Sequence, residues 1–441
     1  MPEPGVLVLT GMKRPAAPRA RRAPRAPRAA LAVTLVVTLA VAWSAAGGLR
    51  APAASAQSVG QQIRAAEMPE LRQIDVPTAW RLAKGSGVTV AVLDTGTDAG
   101  APDLAGSVTT GPDYTRGADP PGYQPPHLHG TYIASLIAGH GSGPGRTGGV
   151  IGVAPDAKIL AVRVILDDQE PGFAVYNENS TFEAAIPDGI RYAVSHGASV
   201  INMSLGSTNP TRDMRLAIGY AVAHNVVVVA SAGNDGSAGS GFTPYSYPAS
   251  FTGVISVAAV GATGKRASFS DRNASVVISA PGVNILGAGP GGQYLSGSGT
   301  SPASAFVAGV AALIRSKYPR LSPALVTQAL VASVTHRPAG DYSPNIGFGE
   351  VNASAALAAA ARLAGHPAAT GLSASARFGG AAPGPIQVVH RSYPTIAALA
   401  AIAALALLGA LVALVLLIRQ MRRPRPTIAS GPDTTFNLDI P

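Results

Sequence analysis

From residue 88 onward the apolar positions fall into two alternating patterns. Six short runs, at 88–94, 158–164, 199–204, 226–231, 254–260 and 276–280, are apolar at most positions and rich in Val, Ile and Ala. A strand apolar on both faces is buried on both, as in a parallel sheet covered by helices. Among and after these runs, segments 130–138, 181–196, 210–224, 302–317, 323–333 and 352–363 read as helices. The order predicts an α/β fold, a doubly wound parallel sheet with helices on both faces, whose reacting groups gather at the carboxyl ends of the strands. Asp94 ends the first run, and Asn234 follows the fourth by three residues.

Both ends of the chain break this pattern. Residues 1–56 run basic, then apolar from Ala29 to Ala46, then reach small residues at Ala54 and Ala56, which reads as a signal peptide. The alternative is a retained N-terminal anchor. Residues 57–76 form a short extension ahead of a 77–365 body, and 366–393 are a Pro/Gly/Ala-rich tether. Residues 395–418 are 24 positions without a charge, about 36 Å as a helix, enough for a transmembrane span. Arg419, Arg422, Arg423 and Arg425 follow, so the 419–441 tail is expected on the cytoplasmic side and the body outside the cell membrane.

Charge changes the picture less than its total suggests. Of the net +10, residues 1–56 hold +7 and residues 419–441 hold +2, leaving +1 for everything between. A body so nearly neutral lacks the footprint of a nucleic-acid binder. The absence of cysteine excludes a disulfide framework, a thiol nucleophile and a Cys-based metal site.

Three segments carry candidate chemistry. Residues 90–96, Val-Ala-Val-Leu-Asp-Thr-Gly, deliver the Asp94 carboxylate from a buried strand into a glycine turn. His129-Gly130-Thr131 opens a helix. Ser296-Gly-Ser-Gly-Thr-Ser301 opens another, placing Ser301 where helix N–H groups favour developing negative charge. A serine hydroxyl becomes a nucleophile when an imidazole takes its proton, and a buried carboxylate fixes that imidazole's tautomer. Ala232-Gly233-Asn234 offers a side-chain donor for an oxyanion. His127 is a rival to His129, but only His129 is followed by Gly-Thr and a helix. Taken singly, Asp94 is a turn cap, His129 a helix-start histidine and Ser301 an N-cap; the set in this chain order is what points to acyl transfer.

That set resembles the subtilisin-like serine proteases over residues 77–355, with support from Gly152-Val153-Ala154-Pro155, the 201–206 segment and Tyr247-Pro248-Ala249. The resemblance implies that Asp94 orients His129, that His129 is the general base and acid, and that Ser301 attacks. It further implies that Asn234 and the Ser301 N–H hold the oxyanion, and that Ser204, Leu205 and Gly206 bind protein or peptide substrates. Pro302 departs from the pattern, in which a large side chain commonly follows the serine; proline suits a first helical position. Asp235, beside the expected specificity pocket, either favours a basic or polar residue before the cleaved bond or is a solvated loop carboxylate.

The whole architecture is similar to the mycosins, membrane-anchored subtilisin-like proteases associated with type VII secretion in actinobacteria. Mycosins often carry disulfides, so another membrane subtilase remains open. The resemblance implies an endopeptidase working on exported proteins, or a structural component that stabilises secretion-complex subunits with cleavage secondary. No cofactor and no metal are expected.

Overall fold

The computed structural model describes residues 6–9, 58–237, 241–364 and 393–421. The expected signal peptide, the 366–393 tether and the basic tail therefore lie almost wholly outside the described residues. The chain divides into two compact units, Met1–Ala368 and Ala369–Pro441.

The predicted parallel sheet is present and has seven strands. They are β1 (Thr89–Asp94), β2 (Val108–Asp113), β3 (Lys158–Arg163), β4 (Val200–Met203), β5 (Val227–Ser231), β6 (Val254–Val260) and β7 (Ile278–Pro281). Their order is β7-β6-β5-β4-β1-β3-β2, and every pairing is parallel. From β1 the chain goes to β2 at the edge, returns to place β3 between the two, then crosses to β4 on the other side of β1 and works outward from there. Asp94 at the end of β1 and Ser204 just past β4 thus flank the switch point, where open α/β sheets bind ligands.

Alternation along the strands builds two cores. Val90, Val92, Val227 and Val229 face one side, against α2 (Leu128–Ala138) and α5 (Thr300–Lys317). Ala91, Leu93, Ile201 and Val228 face the other, against α3 (Ala185–Ser195) and α4 (Arg212–Ala223). A period of two with both phases apolar is what the six runs encoded. Helix α5 is buried almost throughout, and its small residues let it lie close to its neighbours: a Cβ on Gly309 would come within 2.5 Å of the Val153 Cβ. Helices α6 (Pro323–Ala332) and α7 (Ala353–Ala364) complete that layer.

The 57–76 extension is not bare: helix α1 (Val59–Gln73) occupies most of it. A Ser58–Gln61 capping box starts it, and Ile63 and Leu71 bury against the body. The Arg64 Nε donates to the Gly149 carbonyl at 2.9 Å, and the buried Glu67 accepts from the Ile151 N–H at 2.8 Å. Burial holds the Glu67 carboxyl well above the usual range.

In the second unit, α8 (Tyr393–Met421) contains Ala397–Arg419, 23 residues long and apolar enough to cross a membrane.

Candidate active site

Asp94, Thr95 and Gly96 and the His127–Thr131 segment are laced together by short-range bonds, which explains the residue types at each place. The Thr95 hydroxyl accepts the Gly130 N–H at 3.0 Å, and the Thr131 hydroxyl accepts the Asp98 N–H at 2.8 Å. Gly130 has no alternative residue: a Cβ there would come within 1.9 Å of the Gly96 carbonyl oxygen. His127 sits in the left-handed region at φ 54°, with its Nδ1 2.7 Å from the Thr95 carbonyl. Its ring thus serves the turn, while His129 on the first turn of α2 reaches the Asp94 carboxylate instead.

His129 Nδ1 lies 2.7 Å from the Asp94 Oδ1. The Asp94 carboxylate is fully buried, and its Oδ1 also accepts the Thr95 N–H at 2.8 Å. Burial pulls the His129 pKa down, but the charge of Asp94 and its hydrogen bond more than offset this, so the imidazole titrates above an ordinary histidine. The arrangement fixes the Nδ1–H tautomer and leaves Nε2 as the basic nitrogen.

Across the cleft, Ser301 is the second residue of α5, in the first turn, where backbone N–H groups lack intrahelical partners. Helix α5 begins at Thr300, so Pro302 is its third residue rather than its first. Its missing N–H is still one the helix does not use, and the correction leaves the tolerance for proline intact. The Ser301 hydroxyl donates to the Ser204 carbonyl at 3.2 Å; for it to act as a nucleophile, that proton would have to be redirected to His129.

Asn234 is held from one side only. Its Oδ1 accepts the Thr300 N–H at 2.9 Å and the Thr300 hydroxyl at 3.1 Å. These donors fix the amide orientation, and its Nδ2 is turned towards Gly299 at the cleft. Ser204 is tied to the same helix: its hydroxyl donates to the Ser301 carbonyl at 3.1 Å and lies 3.0 Å from the Ser304 hydroxyl. Residues 204–206 form one wall of a cleft of about 320 Å³ that also takes in His129, Asn234 and Ser301. Ser207 exchanges both backbone hydrogen bonds with Tyr247, fixing that wall against the opposite one.

Two acidic residues that no sequence motif marks also line this cleft. Asp167 lies beyond β3 and Asp271 beyond β6, and both line it. The carboxyl-end rule, applied to β3, would have pointed to Asp167; Asp271 follows a bend far from any motif, and only the folded chain brings it near Gly233.

The sequence profile of the peptidase S8 subtilase family matches residues 85–350. Subtilisin E of Bacillus subtilis (strain 168) is 39% identical over 272 residues, 62% of this chain. The match spans 66% of subtilisin E, a little under two thirds of its length. The subtilisin of Bacillus pumilus is 38% identical over 62% of this chain and 91% of its own length. Among solved structures, the MycP3 protease from the type VII (ESX-3) secretion system superposes with a TM-score of 0.54 at 31% identity, covering 66% of this chain and 87% of MycP3.

Proposed function

The chain belongs to the subtilase family, and on that premise we propose that it is a membrane-anchored, extracytoplasmic serine endopeptidase linked to type VII secretion. The observation that carries the catalytic reading is the 2.7 Å contact between the His129 Nδ1 and the Asp94 Oδ1, in a cleft that also holds Ser301 at a helix start. His129 Nε2 takes the Ser301 proton as the hydroxyl attacks the scissile carbonyl, then returns it to the leaving amine. The tetrahedral oxyanion is held by the Asn234 Nδ2 and the Ser301 N–H. Water, deprotonated by the same imidazole, releases the acyl group. The peptide pairs as an added strand with Ser204, Leu205 and Gly206.

The apolar 397–419 segment and the arginines at its end support anchoring with the tail inside. The likeness to MycP3, a protease from a type VII secretion system, supports the link to secretion.

Fluorophosphonate labelling of membrane fractions tests the reading. The wild-type chain is expected to label and Ser301→Ala to remain dark. A folded wild-type protein that takes no label would overturn the assignment. Carbonate extraction tests the anchor: the chain stays with the membrane, and a chain ending at residue 390 is released.

Asn234→Leu keeps the branching of the side chain while removing its oxyanion donor, and with it the acceptor used by Thr300. We expect kcat to fall roughly 10²- to 10³-fold, the size known for the donor asparagine of subtilisin, with KM little changed. A steady-state split showing the loss in KM instead would place Asn234 in substrate binding.

A further inference from the structure

The cleft is charged on both sides of Ser301, and with one sign. Asp167, Asp168, Glu170, Asp235 and Asp271 line it, and among the described residues no Lys or Arg does. Glu170 is already paired, 2.5 Å from Arg163. Among the described residues the other four have no Lys or Arg ion pair, and Asp167 has only His129 acting to favour its charge.

The two sides differ in position. On the Asn234 side, Leu205, Gly206, Ser231 and residues 233–235 line a slot of the cleft. Asp271 is 1% exposed, and its Oδ1 accepts the Asp235 N–H at 2.8 Å. Its Oδ2 stands against Gly233: a Cβ there would come within 2.1 Å of it. A glycine at that place leaves the carboxyl without a side chain between it and the slot. The nearest cation acting on it, Arg266, is engaged by the carbonyls of Ser268 and Ser270. On the His129 side, Asp167 is 7% exposed, and its Oδ2 has no hydrogen-bond partner among the described residues. An orphaned, buried carboxylate oxygen in a substrate cleft is a costly feature unless a donor arrives there. Asp168 stands beside it, exposed.

An extended peptide sends successive side chains to opposite faces. A peptide attacked at Ser301 and paired with residues 204–206 therefore places one side chain in the Asp271 slot and the next one on the His129 side. We propose that the cleft selects peptides with two consecutive basic residues on the acyl side of the scissile bond, the one at the bond held by Asp271 and Asp235 and the one before it by Asp167 and Asp168. The inference rests on the reading of Ser301 as nucleophile. Burial raises the Asp271 carboxyl to about 7 despite the hydrogen bond from Asp235, and burial raises Asp167 too. A bound guanidinium or ammonium would return both to the charged form.

The test uses the full chain in detergent and internally quenched peptides that differ only at these two positions, Arg-Arg against Leu-Arg, Arg-Leu and Leu-Leu. Each basic residue is expected to raise kcat/KM roughly 10- to 100-fold, as charge-assisted hydrogen bonds do. Asp271→Asn and, separately, Asp235→Asn should shrink the preference at the bond and leave the preference before it. Asp167→Asn should do the reverse. Asp235 is exposed, so its variant does not depend on refilling a buried site. A wild-type chain that labels with fluorophosphonate yet cleaves Leu-Leu as fast as Arg-Arg overturns the proposal alone. A chain that neither labels nor cleaves overturns the nucleophile reading, and this proposal with it.

Discussion

Replacing Ser301 by alanine is expected to lower peptide hydrolysis about 10⁶-fold in kcat while KM stays within a few-fold. The size is carried over from subtilisin, a relative of this chain. On the proposed triad, its physical basis is that three groups act as one. His129 has no proton to take once the hydroxyl is gone, and Asp94 then orients an idle base. Removing His129 in the Ser301→Ala background should therefore cost little more, where independent contributions would multiply. What survives is catalysis by the oxyanion donors and by binding, so the double variant should still exceed the uncatalysed rate. The measurement is the single-turnover rate on one peptide for wild type, both single variants and the double. A Ser301→Ala chain that keeps more than about one hundredth of the rate would mean another nucleophile. The substitution is also a clean one structurally. The Ser301 hydroxyl donates only to the Ser204 carbonyl, while the bonds that hold α5 in place run through the Ser301 backbone carbonyl and through Thr300.

The sheet was legible in the sequence because burial on both faces writes itself as unbroken apolar runs. Strand β2 (Val108–Asp113) escaped for the converse reason. It is an edge strand, paired on one side only, and its Thr109 and Thr110 face solvent. Gly111 and Pro112 within it read as a turn. Helix α1 escaped because its mean character is polar and Pro69 interrupts it. Only the docking of Ile63, Glu67 and Leu71 on the body makes it an ordered element, and that is tertiary information.

The site divides along the same line. The sequence carries Asp94, His129 and Ser301 in local settings with mechanical reasons, such as the Gly130 that lets α2 touch the Gly96 carbonyl. It cannot carry the 35-residue closure that brings Nδ1 to Oδ1, nor the arrival of Asp271 at the cleft, and it marks Asp167 only by its place beyond the end of β3. Asp167 and Asp271 belong to no motif. Their environment, buried and facing a cleft, exists only in the folded chain.

Asp94→Asn should show what that closure contributes. Its Oδ1 accepts from the His129 Nδ1–H, and an asparagine amide can instead present its own N–H, turning the imidazole to the tautomer with its proton on Nε2. That nitrogen can no longer take the Ser301 proton, and kcat is expected to fall about 10⁴-fold, the cost of the same change in a chymotrypsin-type triad. The pH profile separates this from a collapsed site. In the wild type Asp94 holds the His129 pKa above its ordinary value, so kcat/KM should climb with pH along a limb set above about 6.5, as His129 becomes neutral. In the variant the opposing charge is gone and burial alone acts, so that limb should move to lower pH while the plateau drops. Stability carries the matching sign. A raised folded-state pKa stabilises the wild type fully below the unfolded histidine's pKa, and this contribution disappears as pH rises through the folded value. The melting-temperature deficit of Asp94→Asn relative to wild type should therefore be largest near pH 5 and shrink towards pH 9. A variant whose acid limb stays where the wild type has it would show that Asp94 does not set the charge state of His129, and the triad reading would lose its carboxylate.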